Sequence, residues 1–265
     1  MQKEGKVIGF VPTMGYLHSG HLSLVHIARS KSDVVVASIF VNPAQFGPKE
    51  DFKRYPRDFD YDRVLLEKEG CDYVFTPRVT DIYPDGYSTY VEVDGLTRKL
   101  EGGCRPGHFK GVCTIVAKLF NIVQPDITVF GQKDAQQAAV IKKMVEDLNF
   151  KTGIFIASTI RETDGLALSS RNKYLSSKER ESASVLYRSL TLAKNLIESG
   201  EKDARKIVAK MKNLIQKEKD AKIDYIAITD ILNLDHVDKV KGEILISLAV
   251  KIGKTRLIDN IKMKA

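Results

Sequence analysis

The sequence predicts an α/β fold, a doubly wound parallel sheet over residues 1–164 followed by a smaller α+β unit over residues 165–265. Three observations carry this expectation. Short β-branched runs alternate with helix-period segments through the first part of the chain, and polar glycine-containing stretches follow three of those runs. After about residue 163 the pattern changes to helices and then to alternating strands.

The first strand is expected over residues 6–12 (KVIGFVP), the second over 34–41 (VVVASIFV), the third over 73–77 (YVFTP) and the fourth over 127–131 (ITVFG). They lack a polar face, as strands covered on both sides of a sheet do. Helical segments lie between them at 21–32, 58–70 and 111–124. Strands separated by helices pair in parallel, because the crossover returns the chain to the same end of the sheet. In the second part, Ser176-x-x-Glu179 has the form of a capping box, so a helix is expected from there to the stop signal Gly200, with a second helix after it. Residues 223–230 (IDYIAITD) and 243–252 (EILISLAVKI) then read as strands of a small sheet, joined to the first unit near residues 163–165.

Composition narrows the function. With 43% hydrophobic and 29% charged residues in 265, the chain is neither fibrous nor disordered. Its longest apolar runs, 34–41 and 244–250, are too short to cross a bilayer, and Lys3, Glu4 and Lys6 do not suit a signal peptide. A cytoplasmic protein without a membrane partner is expected. Cys71, Cys104 and Cys113 lack metal-like spacing and are expected as free thiols. The net charge of +8 suits an anionic partner, whether nucleic acid, membrane surface or phosphorylated small molecule. The lysines between residues 202 and 222 alternate with acids at helical spacing and read as a solvated face.

In open parallel sheets, ligands bind beyond the carboxyl ends of the strands. Three polar segments fall there: PTMGYLHSGH (12–21), NPAQFG (42–47) and GQKDAQQ (131–137). In the first, His18 and His21 stand one turn apart at a helix start, where unpaired N–H groups attract anions, and Gly15 and Gly20 allow close backbone approach. Phosphate is favoured over two incidental histidines. A metal pair ranks last, since the next histidine, His26, lies beyond the following turn. Lys133 and Asp134 mark another helix start. A lysine there opposes the helix dipole by roughly 0.3 to 1 kcal/mol unless an anion is bound, and is otherwise an ordinary surface residue. Gln136 and Gln137 either contact ligand or cap and pack. Asn42 and Gln45 either orient a hydroxylated acid or form a turn. Leu168–Asn172 sets Ser169 and Ser170 beside Arg171, whose fork matches phosphate oxygens. Residues 102–112 (GGCRPGHFKGV), with Arg105, His108 and Lys110, read as a mobile cover over an anion or a plain surface loop. No G-x-x-x-x-G-K-[ST], G-x-G-x-x-G or G-x-S-x-G motif occurs.

A Rossmann-like first unit with His-x-Gly-His after strand one resembles the nucleotidyltransferase superfamily that includes class I aminoacyl-tRNA synthetases. The ordered set PTMGYLHSGH, SIFVNPAQFG, YPRDFDYD, RPGHFKGVCTIVAKLFNIVQPD, FGQKDAQQ, DGLALSSRN and TRLIDN, spanning residues 5–260, resembles the pantothenate synthetase (pantoate–beta-alanine ligase) family. The resemblance implies ATP-dependent joining of pantoate to beta-alanine through pantoyl adenylate, with release of pyrophosphate and AMP. It places Met14, Gly15, Tyr16, Leu17, His18, Ser19, Gly20 and His21 at ATP, with both histidines at its phosphates and His21 the proton donor. Gly131, Gln132, Lys133, Asp134, Leu168, Ser169, Ser170 and Arg171 complete the nucleotide site, with Ile160 beside it. Asn42, Gln45 and Gln137 fall to the substrates, Gln45 lying near beta-alanine as well as pantoate. His18, His21, Lys133 and Arg171 supply cations and donors where phosphate charge changes. The family also implies Mg2+ with ATP, held without a dedicated protein cage, and a homodimer.

The chain departs from the family pattern in three places. It begins about one strand–helix segment later than many members, carries Gln132 where many have glutamate, and has Val250 and Lys251 where an aromatic is common. Two other readings are weaker. One is a nucleotidyltransferase with another acceptor, such as a cytidylyltransferase. The other is a nucleic-acid binder, which would need aromatic platforms among its basic residues.

Overall fold

The computed structural model describes residues 4–48 and 50–265. Strands β1 (Ile8–Thr13), β2 (Val34–Ile39), β3 (Tyr73–Phe75), β4 (Ile127–Gly131) and β5 (Gly153–Ala157) form a parallel sheet in the order β3-β2-β1-β4-β5. The chain builds outward from β1 to β3, then returns to the other side of β1 for β4 and β5. The order reverses between β1 and β4, and the crossovers there leave a crevice at the strands' carboxyl ends.

Alternation along β1 gives each face of the sheet its own core. Phe10 points to a cluster with α5 (His108–Val123) and α6 (Ala135–Asp147). Val11 points to a second cluster with α1 (Ser19–Arg29) and Leu66 of α2 (Phe59–Lys68). The sheet is therefore covered on both sides, the doubly wound arrangement expected.

The second part holds α7 (Ser177–Ala183), α8 (Val185–Glu198) and α9 (Ala204–Ile215), packed on an antiparallel sheet of β6 (Ala221–Asp230), β7 (Glu243–Ile252) and β8 (Thr255–Lys264) in the order β6-β7-β8. Ile244, Ile246, Leu248, Val250 and Ile252 of β7 share a cluster with α8 and α9. The opposite face of β7 carries Leu245 and Ser247, which meet the first unit near Glu101 and Gln136. Among the described residues no helix is long and apolar enough to cross a membrane.

Four features differ from the sequence expectation. β5 and β8 were not anticipated: β5 is a half-exposed edge strand of five residues, and β8 is paired along its whole length with β7 across a hairpin at Gly253 (φ 56°). The helix expected between Ser176 and Gly200 is divided at Ser184, although the capping box of Ser176 and Glu179 forms. After the short helix α3 (Val79–Ile82), residues 102–112 are mostly helical: they close α4 (Leu100–Cys104) and, past a turn at 105–107, open α5, with His108 buried and Arg105 held by Glu50.

Candidate active site

The loop after β1 is shaped by one buried carboxylate. Asp62 of α2 accepts the N–H groups of Tyr16 and Leu17, both at 2.7 Å, and Thr13 Oγ1 accepts that of Gly15 at 3.1 Å. Gly15 takes φ 79°, and a Cβ there would stand 2.9 Å from Asp62 Oδ2. The loop delivers His18 to the N-cap of α1. Its Nδ1 accepts the Gly20 N–H at 3.2 Å, and His21 Nδ1 accepts the His18 N–H at 3.3 Å. Two histidines thus make a capping box, their ring centroids 4.0 Å apart. With both Nδ1 atoms accepting, each neutral ring carries its proton on Nε2.

Charge at the pair follows from burial. Burial, then the positive charge of Lys133, pulls His18 down to about 4. Burial, His18 and Lys133 hold His21 well below its ordinary value. At pH 7 the histidines are neutral N–H donors, and the cations among the four residues are Lys133 and Arg171.

After β2, a 3-10 turn (Pro43–Gln45) places Asn42 and Gln45. Asn42 is 1% exposed and its amide is saturated: Nδ2 donates to Gln45 Oε1 at 3.2 Å and Gly111 O at 3.0 Å, while Oδ1 accepts from Tyr83 Oη at 2.8 Å and Ala44 N at 3.3 Å. Asn42 therefore orients Gln45, whose Nε2 lies 3.0 Å from Met14 Sδ. Below the turn, His108 Nδ1 donates to Gln45 O at 2.8 Å and Nε2 accepts from Arg105 at 3.0 Å. Arg105 is itself paired with both Glu50 oxygens at 2.7 Å.

After β4, a 3-10 turn (Gln132–Asp134) leads into α6 and presents Lys133, with Nζ 3.6 Å from Asp134 Oδ1. Gln136 packs rather than facing a ligand: it accepts the Glu101 N–H and donates to Leu96 O and Lys99 O. On the fourth side, Ser170 Oγ donates to Tyr16 O at 3.2 Å, and Arg171 is paired with both oxygens of Asp51.

These strand ends border one open cleft. Met14, His18, Gly20 and His21 line it from β1, Asn42 and Gln45 from β2, and Gly131, Lys133, Asp134 and Gln137 from β4. Ile160, Leu168, Ser169, Ser170 and Arg171 close the far wall. Five candidate residues are not brought to it. Gly15, Tyr16 and Leu17 build the loop before the histidines, Ser19 is exposed at the start of α1, and Gln132 turns to Asn260, its Nε2 donating to Oδ1 at 2.9 Å. Sequence reasoning missed the apolar wall of Val112, Ile115, Val116 and Leu119, which look like core residues of a helix, and missed Tyr55 and Thr159. Thr159 Oγ1 is buried on this wall with no hydrogen-bond partner among the described residues.

A family model described as pantoate-beta-alanine ligase matches residues 1–262. The chain belongs to this family. It is similar to the pantothenate synthetase of Caldicellulosiruptor saccharolyticus, 59% identical over 261 residues covering 98% of this chain and 93% of that protein. The Acetivibrio thermocellus pantothenate synthetase is 59% identical over 257 residues, covering 97% and 92%. Among solved structures, pantothenate synthetase from Thermus thermophilus superposes with a TM-score of 0.95 at 45% identity, covering 98% of this chain and 94% of that one. The pantoate-beta-alanine ligase of Francisella tularensis, complexed with beta-gamma ATP and beta-alanine, gives a TM-score of 0.79 at 39% identity over 97% and 90%. Membership makes the chain an enzyme, an acid–amine ligase of pantothenate biosynthesis.

Proposed function

We propose that the cleft binds ATP, pantoate and beta-alanine and forms pantothenate in two steps. The carrying observation is that His18, His21, Lys133 and Arg171, from three separate segments of the chain, line the same cleft as Gln45, Gln137 and the apolar wall of α5. Neutral N–H donors beside two cations suit a triphosphate, and the aliphatic wall suits the geminal methyl groups of pantoate. The ATP and beta-alanine of the Francisella tularensis complex support the same assignment.

In the first step a carboxylate oxygen of pantoate attacks the α-phosphorus, the P–O bond to the β-phosphate breaks, and pyrophosphate leaves. The chain's part is placement and charge. Lys133 and the Nε2–H groups of His18 and His21 meet the charge that grows on the departing phosphate, and the orphaned Thr159 hydroxyl offers a bond to the adenosine. In the second step the beta-alanine amine attacks the acyl carbonyl, an amide forms and AMP leaves. Gln45 and Gln137, buried or half-buried, hold pantoate through both steps. Among the described residues no three His, Cys, Asp or Glu side chains gather as a metal site, and Asp134 is the carboxylate on the cleft wall. Asp134 would face a Mg2+ brought in with ATP, whose charge would offset that of the phosphates.

In this reading residues 1–164 are the catalytic unit and residues 165–265 the smaller one, a division favoured by the separate hydrophobic clusters on either side of Gly165. The enzyme is placed in the cytoplasm as a homodimer. Purified protein with Mg-ATP and pantoate is expected to release pyrophosphate, and to form AMP and pantothenate once beta-alanine is added. His21→Ala and Lys133→Ala are each expected to slow the first step by about 10²-fold or more. Turnover of CTP with a phosphorylated alcohol, and none with pantoate, would overturn the reading.

A further inference from the structure

The segment TRLIDN ends in two residues that belong to the small sheet by backbone but not by side chain. Asp259 and Asn260 lie on β8 and are 2% and 4% exposed. Asn260 Nδ2 donates to Gln132 O at 3.0 Å and to Lys133 O at 2.9 Å, while its Oδ1 accepts from Gln132 Nε2 at 2.9 Å. Both amide hydrogens are thus committed to two successive carbonyls of the turn that carries Lys133. Asp259 reaches the other wall, pairing with Arg161 at 2.6 and 2.9 Å, and Arg161 also donates to Gly165 O.

We infer that Asn260 is a positioning residue for adenylation, acting through Lys133. The two carbonyls belong to the peptide planes on either side of the Lys133 Cα. Fixing both planes fixes the direction in which its side chain leaves the backbone. The turn precedes α6, where regular helical hydrogen bonds do not yet hold the chain, so a buried partner from elsewhere has to set it. Asn is the fitting residue because one NH2 group supplies two donors. The small sheet therefore sets the aim of a lysine that the parallel sheet carries, and the Asp259–Arg161 pair ties the same strand to the opposite wall.

This inference rests on the proposed ATP-dependent reaction, and its test separates the two. Pyrophosphate release at saturating ATP and pantoate is measured for wild type, Asn260→Ala, Lys133→Ala and the double variant. Asn260→Ala is expected to lower the rate by about 10²-fold, the scale of a small misplacement, with the KM for pantoate unchanged. In the Lys133→Ala background the same change is expected to cost no more than about twofold, since it has no lysine left to misplace. Equal losses in both backgrounds overturn the role. Asn260→Asp supplies a second, charge-based readout. Its carboxylate faces two carbonyl oxygens, so activity is expected below that of Asn260→Ala at pH 8 and to rise as pH falls and the acid regains a donor. A pH profile parallel to wild type would also overturn the role. Amide exchange across residues 131–135, expected to be faster in Asn260→Ala, reads the turn without turnover, and unchanged exchange counts against the inference. An inactive wild type would count against the reaction, whereas an active wild type without coupling counts against Asn260 alone.

Discussion

Arg171 donates two hydrogen bonds to Asp51, from Nε to Oδ2 at 2.9 Å and from Nη2 to Oδ1 at 3.0 Å. The guanidinium proposed for phosphate is thus already neutralised by its own chain. Burial alone would raise the Asp51 carboxyl, but the bonds and charge of Arg171 outweigh it and hold the group below its ordinary value. Asp51→Asn is expected to destabilise the free protein by about 1–3 kcal/mol, because a half-buried cation loses its counter-charge. Stabilisation by Mg-ATP is expected to be larger in the variant than in wild type, since the phosphates no longer compete with a carboxylate. Thermal denaturation with and without nucleotide measures both, and equal nucleotide shifts would show that the pair stays closed on binding.

Asp62 offers a second test. Its buried carboxylate is the acceptor for two consecutive N–H groups that set the approach to His18. Asp62→Ala leaves both without that acceptor, at about 1–3 kcal/mol for each. The histidine loop is expected to loosen, raising the KM for ATP together with the loss of stability. Asp62→Asn keeps one acceptor oxygen and is expected to fall between the two. Denaturation and pyrophosphate exchange check the order.

Gly111 sets two effects against each other. In a helix interior, Gly→Ala gains about 1 kcal/mol from propensity alone. A Cβ at Gly111, however, would collide with the Ala44 carbonyl and stand 2.6 Å from Gln45 N. The backbone contact is too close to relieve by a side-chain rotation, so strain wins. Gly111→Ala is expected to lower the melting temperature and to raise the KM for pantoate by displacing the Gln45 turn, while the KM for ATP changes little. A more stable variant would refute this.

Acid sensitivity should report the buried histidines. Burial, then the charge of Arg105, pulls His108 down to about 4, and His18 is likewise near 4. An unfolded histidine takes up its proton near 6.5, so between pH 6.5 and 4 the unfolded chain binds more protons and stability rises with pH. Stability is therefore expected to fall as pH drops through this window, with His21 acting in the same direction. His108, at 9% exposure, accounts for on the order of 3 kcal/mol. His108→Gln is expected to flatten the fall between pH 6.5 and 4 in denaturant titrations, and an unchanged slope would assign it elsewhere.

The parallel strands were legible because burial on both faces removes polar residues from them, leaving apolar runs such as VVVASI. β5 was not identified, although its GIFIA run is as apolar as theirs; nor was β8, whose partly charged sequence becomes a strand through pairing with β7. His18, His21 and Lys133 could be found from glycine-containing polar segments at strand ends, and Arg171 from the hydroxyls of Ser169 and Ser170 beside its fork. Asp51, Asp62 and Asn260 carry no such local mark.

By itself, then, the sequence determined four of the five strands of a doubly wound sheet, which polar stretches follow them, and which family the ordered motifs belong to. These are properties of neighbouring residues, where period and propensity act. Only the tertiary structure decided that the histidines are neutral, that Arg171 is paired with Asp51, and that Asn260 holds the Lys133 turn from 127 residues away. Each depends on desolvation or on a hydrogen bond between distant segments, and those arise only once packing has removed water and brought the partners together.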